Sequence, residues 1–262
     1  MKILKATFVT ELLKLRNSKI VWITFLFFLF IPMMMGLMFY IQMHPELIEK
    51  LGIIGTKASL LKLGKAEWPA FLGFLIQGMA GIGLIGFGFV TSWVFGREFS
   101  DRTMKDILAL PVLRSSIVFS KFIVVGIWCI LLSVVYFVFS LIFGNIIGIT
   151  GWSSKIISQN TYTYSMTSLL TILLCPAVAF FASTSRGYLL PMAFVILTMI
   201  MANFTGILGL GPYFPWAIPG LFGVAEGSAG MQLTAVSYII LFSTSAVGLV
   251  GTLAWWRFAD HK

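Results

Sequence analysis

The sequence predicts an all-α membrane protein with six transmembrane helices, and three observations carry that expectation. Of 262 residues, 59% are hydrophobic and only 10% charged, whereas a soluble domain needs roughly a quarter of its residues charged to cover its surface. Mean hydropathy is +0.99. The apolar residues also come in blocks longer than the ~18 residues that separate a membrane span from a buried core helix. No charged, mixed-composition stretch is long enough to fold as a soluble domain, so residues 1–262 read as a single membrane domain.

Residues 1–19 precede the first block. Leu4, Phe8, Leu12 and Leu15 recur at helical spacing, with Lys2, Lys5, Glu11, Lys14, Arg16 and Lys19 between or beyond them. This pattern predicts an interfacial helix whose lysines reach towards water and anionic lipid. The block 20–41 is longer than the ~7–15 residues of a signal h-region. It ends in Met38-Phe39-Tyr40-Ile41 rather than small residues, so a retained span is expected. The block 69–95 is glycine-rich, with Gly73, Gly78, Gly81, Gly83, Gly86 and Gly88, which favours close helix approach. Blocks 117–143, 166–182, 188–210 and 233–256 complete the set, the fourth being short and carrying Pro176. Each must be helical, because unpaired backbone groups cannot be left in lipid and these runs lack barrel-strand alternation.

Loop charge sets the orientation. With the N-terminus inside, that side holds Lys2, Lys5, Lys14, Arg16, Lys19, Arg97, Arg102, Lys105, Arg114, Lys121, Arg186, Arg257 and Lys262. The outside holds only Lys50, Lys57, Lys62, Lys65 and Lys155. This bias predicts both termini in the cytoplasm of a multi-pass plasma-membrane protein. It also accounts for the net charge of +9 without nucleic acid. Outside, His44 to Trp68 has the composition of a short surface helix. The segment from Gly209 to Gly230 is apolar, aromatic and interrupted by Pro212, Pro215 and Pro219. It reads as a re-entrant or interfacial segment, with Tyr213, Phe214 and Trp216 as outer-gate candidates.

Catalytic and energy-coupling signatures are missing from the sequence. No Gly-x-x-x-x-Gly-Lys-Ser/Thr run exists, so nucleotide hydrolysis by that route is excluded. His44 and His261 lack metal-ligand spacing, Cys129 and Cys175 read as small packing residues, and no metal site is expected. No block carries a central Asp, Glu, Lys, Arg or His of the kind that marks ion-coupled transport. Gln77 and Asn203 are the polar candidates for a pathway, against a helix-packing role. An energy source for transport must therefore lie outside the chain.

The stretch between the second and third blocks, Gly96 to Arg114, is the densest in charge. Asp101 with Lys105 and Arg102 with Asp106 are i,i+4 pairs; Ile107, Leu108 and Leu110 add an apolar side, and Pro111 ends the run. A short amphipathic helix between two spans is predicted. Its residues resemble the loop of the ABC-2 type permease superfamily. There a Glu precedes a Thr-x-Lys-x-(hydrophobic)-Leu-x-x-Pro-(hydrophobic)-x-Arg run and a Lys opens the next span. The matching residues are Glu98, Thr103, Lys105, Ile107, Leu108, Pro111, Val112, Arg114 and Lys121. Arg102 stands where the usual pattern has Gly.

The resemblance implies that this stretch is a coupling helix docking on a separate nucleotide-binding ATPase subunit. Arg97, Glu98, Asp101, Arg102, Thr103, Lys105, Pro111 and Arg114 would then be its coupling residues. It implies a homodimer, or a heterodimer with a second permease. ATP and Mg would be bound by the partner, with no cofactor in this chain. The N-terminal Glu11-Leu12-Leu13-Lys14-Leu15-Arg16 run is similar in style to bacterial permeases of bacitracin and lantibiotic self-protection. That similarity implies export of an amphipathic or hydrophobic peptide antibiotic. The alternatives are a sodium or small-ion exporter of the same superfamily, and a secondary transporter or membrane scaffold with no ATPase.

Overall fold

The structure is a computed structural model describing residues 2–44, 46, 66–101, 103–104, 112–185, 187–224 and 232–258. Among these, nine α-helices follow one another: α1 (Lys2–Arg16), α2 (Lys19–Met43), α3 (Trp68–Ser100), α4 (Arg114–Ile147), α5 (Ser154–Ile172), α6 (Cys175–Thr184), α7 (Leu189–Ile207), α8 (Ile218–Val224) and α9 (Ala235–Phe258). Six helical stretches are long and apolar enough to cross a membrane: α2, α3, α4, α5 with α6 taken together, α7 and α9. The all-helical, six-span expectation therefore holds.

Local chemistry sets the boundaries. Ser18 is extended (φ −91°, ψ 140°) and its hydroxyl accepts from the Ile20 N–H at 3.2 Å, separating α1 from α2. Pro69 lies in the first turn of α3, where its missing N–H costs nothing. Gly148, left-handed at φ 76°, ends α4. Leu173 and Leu174 interrupt the fourth span just ahead of Pro176, which cannot donate into a continuous helix.

The fourth span departs from its predicted bounds. It starts at Ser154, well before residue 166. Hydropathy alone starts the block late because 154–165 is rich in hydroxyls and amides. Those groups fold back on their own helix instead: Asn160 Nδ2 donates to the Ile156 carbonyl at 2.9 Å, Thr161 to Ile157 at 2.7 Å, and Ser165 to Thr161 at 2.7 Å. A polar side chain satisfied this way needs no water.

The helix α3 lies at the centre, packed by α2, α4, α5, α6, α7 and α8. Close approach is visible at its glycines. A Cβ at Gly86 would strike the Phe28 ring, and one at Gly88 would strike Val195. Gly73 and Gly81 face open space, so only some of the run serves packing. Phe28 stacks on Phe87 at 5.6 Å, and Tyr136 donates to the Leu75 carbonyl at 3.2 Å. Cys129 and Cys175 are both buried with free thiols.

The helices alternate in direction, so the chain has two ends. One gathers α1, the last turn of α3, the start of α4 and the last turn of α9. At the other, the Trp68 N–H donates to the Thr150 carbonyl at 3.0 Å. The proline-rich segment also lies there, as a 3-10 turn (Gly211–Tyr213) followed by α8. It packs on α3 and α5 with Pro212, Ala217 and Ile218 buried. Pro219 does not break a helix as expected; it sits in the first turn of α8, a position proline suits. The surface helix expected in His44 to Trp68 falls largely on 45 and 47–65, outside the described residues.

Candidate functional site

The α1 end is built around a buried ammonium. Lys121, fully buried in the second turn of α4, has three acceptors for its three protons. Glu98 Oε1 of α3 lies at 2.6 Å, the Val94 carbonyl at 2.8 Å, and Glu11 Oε2 of α1 at 3.1 Å. Glu98 is 1% exposed and Glu11 6%. Lys14 closes on Glu11 Oε1 at 2.8 Å and on Glu98 Oε1 at 3.5 Å. Arg97 reaches Glu98 at 3.5 Å and Glu11 at 3.8 Å while lying 4.5 Å over the Trp93 ring. Two carboxylates and three cations thus tie α1, α3 and α4 into one unit, and Thr7 adds a 2.7 Å hydroxyl contact to Ser120.

Burial alone would raise the Glu11 carboxyl, but the Lys121 and Lys14 ammoniums and the hydrogen bonds they donate outweigh it. The group is held below its ordinary 4.5. A lowered carboxyl contributes stability that is fully present above its unfolded-state pKa and is lost as pH falls through the folded-state value. Glu11→Gln is therefore expected to be less stable than wild type at pH 7, with the gap closing below about pH 4. Thermal unfolding of the detergent-solubilised protein at several pH values checks this. A constant gap across the range would contradict it.

The predicted coupling residues divide. Glu98 and Arg97 join the cluster. Asp101 and Thr103 are exposed just beyond α3, where the Asp101 N–H caps Arg97 and the Thr103 N–H donates to the Glu98 carbonyl at 3.0 Å. Arg114, exposed at the start of α4, donates to the carbonyls of Trp256 and Arg257 at 3.3 and 3.4 Å. Those are carbonyls in the last turn of α9, so Arg114 ties the start of α4 to the end of that helix. Arg102, Lys105 and Pro111 lie outside the described residues, as does most of the predicted coupling helix. Sequence reading placed Glu98 and Lys121 in one motif and Glu11 in another, but missed that they form one cluster. The available signal was that all three stand at the margins of apolar stretches assigned to one membrane side.

At the opposite end the structure brings three separately predicted residues together. Gln77 of α3, Asn203 of α7 and Trp216 line one cavity of about 380 Å³. Gln77 Nε2 donates to the Gly220 carbonyl at 3.0 Å, tying α3 to α8, and Asn203 Nδ2 donates to the Met199 carbonyl at 2.9 Å. Phe214 contacts Trp216 with ring centroids 5.5 Å apart, whereas Tyr213 is exposed and is not among the residues lining the cavity.

This architecture, with six spans and a charged end held by α1, α3 and α4, coincides with a family match. Residues 7–204 match the ABC-2 family transporter protein, and the chain belongs to that family as a membrane permease subunit. Such permease domains typically lack ATPase activity, and the family implies an ATPase partner. Among individual proteins, the chain is similar to the bacitracin transport permease protein BCRB of Bacillus licheniformis. The two are 26% identical over 180 residues, covering 68% of this chain and 86% of that protein. No solved structure matches.

Proposed function

We propose that the chain is the permease subunit of an ATP-driven exporter, moving an amphipathic or hydrophobic substrate such as a peptide antibiotic. The observation that carries the ATPase dependence is the Glu11–Lys121–Glu98 cluster. It joins both helices flanking residues 101–113 to α1, so a push on that segment is borne by a buried ionic joint rather than a free loop. The partner subunit binds ATP and Mg and carries out hydrolysis, and this chain needs no cofactor of its own. Loop charge supports both termini in the cytoplasm of a bacterial plasma membrane, with the α1 end facing the ATPase. Two permeases, identical or related, complete the assembly. The substrate class rests on the likeness to BCRB and on the largely apolar lining of the α8 end, uncharged among the described residues.

The test is capture of a separate Walker-type ATPase with the tagged permease. Deleting 101–110 is expected to abolish capture and ATP-dependent transport while the permease still elutes as a single species. Asp101→Lys is a milder probe than a change at Glu98, because Asp101 is exposed and Glu98 is a structural part of the cluster. Retention of the ATPase after the deletion overturns the coupling assignment. Transport that persists on an ion gradient without the ATPase favours a secondary transporter.

A further inference from the structure

The cavity holding Gln77 and Asn203 has a neighbour. A second cavity, of about 610 Å³, lies between α6, α7 and α9 and is lined by Phe180, Phe181 and Phe194. Trp216 borders both, so its indole is the wall between them. The chemistry on the two sides differs. One side offers two carboxamides, the other rings, with Phe181 stacked on Phe194 at 4.0 Å and Phe194 edge-on to Trp216 at 5.3 Å. Among the described residues, no Asp, Glu, Lys, Arg or His lines either cavity.

Position along the helices matches this division. Asn203 lies near the α8 end of α7, and Phe194 is nine residues deeper, roughly 13 Å at 1.5 Å per residue. The polar cavity thus sits towards a membrane face and the aromatic one towards the interior. Each carboxamide spends an N–H on a backbone carbonyl, Gln77 on Gly220 and Asn203 on Met199. Their oxygens remain as acceptors, which suits a ligand head that donates. Trp216 Nε1 is buried with no hydrogen-bond partner among the described residues, so the indole is held by apolar and ring packing alone. A buried, unpaired N–H is disfavoured, and rotation of the indole would relieve it.

We propose that the two cavities are one bipartite site for an amphipath with an uncharged, hydrogen-bond-donating head. The head sits against Gln77 and Asn203, the tail lies among Phe180, Phe181 and Phe194, and Trp216 moves aside to join the compartments. Cavities of these sizes are in the range of small-molecule sites. A charged head is disfavoured because no charged side chain among the described lining residues offsets its desolvation. The assignment deepens the transport reading and rests on it for physiological meaning, but its test does not.

The full-length permease in phosphatidylcholine vesicles, without ATPase or ATP, is titrated with a dibrominated alkyl maltoside. The same titration uses a dibrominated fatty-acid anion of equal chain length. Bromine quenches nearby indoles, and subtracting the Trp216→Phe trace isolates the Trp216 signal. The expected result is a saturable Trp216 component with the maltoside, and binding about tenfold or more weaker for the anion. Gln77→Leu and Asn203→Leu are each expected to weaken the maltoside about fivefold to tenfold, the effect of one lost hydrogen bond. Quenching that is linear, equal for both probes, or unmoved by either leucine variant means annular lipid only and overturns the assignment. A second copy covering the cavities would remove the saturable component and overturns it equally. Either failure leaves the ATPase-capture result standing on its own.

Discussion

Lys121→Met is expected to cost about 3–5 kcal/mol of stability, the range for removing one partner of a buried charge pair. Methionine fills nearly the same volume, so the loss is electrostatic rather than a cavity. Glu98 at 1% exposure and Glu11 at 6% are left facing each other across the vacated ammonium position. The Val94 carbonyl loses its side-chain donor as well. Lys14 and Arg97 compensate in part, but their contacts to Glu98 are 3.5 Å against 2.6 Å for Lys121. The triple variant Lys121→Met, Glu11→Gln, Glu98→Gln is expected to recover much of the loss, because unpaired charge dominates it. Thermal unfolding and monodispersity in detergent measure both. A single variant within about 1 kcal/mol of wild type would show the cluster to be solvated rather than structural.

The same cluster shows where sequence reading stops. Hydropathy is close to a one-body property: each residue of a span prefers lipid whatever its neighbours are, so six spans were legible from composition and order. The Glu11–Lys121 contact joins residues 110 apart. It depends on α1 lying along α4, which no local pattern encodes. Glu98 was singled out by its motif, yet a motif carries no direction, and its side chain turns inward. The early start of α5 was hidden for a different reason. A residue scale counts Thr161 and Ser165 as polar, although both hydroxyls are satisfied by their own helix. Gln77, Asn203 and Trp216 were each visible as oddities in apolar surroundings. Their meeting in one cavity required knowing that α7 and the segment after it pack on α3.

Gly248→Ala is expected to cost about 3 kcal/mol, at the upper end of the range for overpacking. The helix α9 packs on α6 with Gly248 against the turn at Pro176 and Ala177. A Cβ there would lie 2.5 Å from the Ala177 nitrogen, 2.6 Å from the Pro176 carbonyl carbon and 2.7 Å from the Ala177 Cα. All three are backbone atoms beside a proline, so neither a rotamer change nor a small shift relieves the clash. The helices must separate, which puts at risk the 3.0 Å bond from Trp256 Nε1 to Ser183 Oγ about two turns further along. Trp256 also lies 5.9 Å from the Lys121 ammonium, so displacing α9 reaches the charged end of the bundle. Gly251 is the control on the same helix. Its Cβ would meet only the Phe180 ring at 3.0 Å, a side chain that can turn, and Gly251→Ala should cost less than about 1 kcal/mol. Gly126→Ala, with nothing within 4 Å, should be neutral or stabilising by up to about 1 kcal/mol through helix propensity. The order Gly248 worst, Gly251 intermediate and Gly126 harmless, read from thermal unfolding in one detergent, tests the packing of α9 on α6. Equal effects at Gly248 and Gly251 would mean that this contact yields and that α9 is not held at the Pro176 turn.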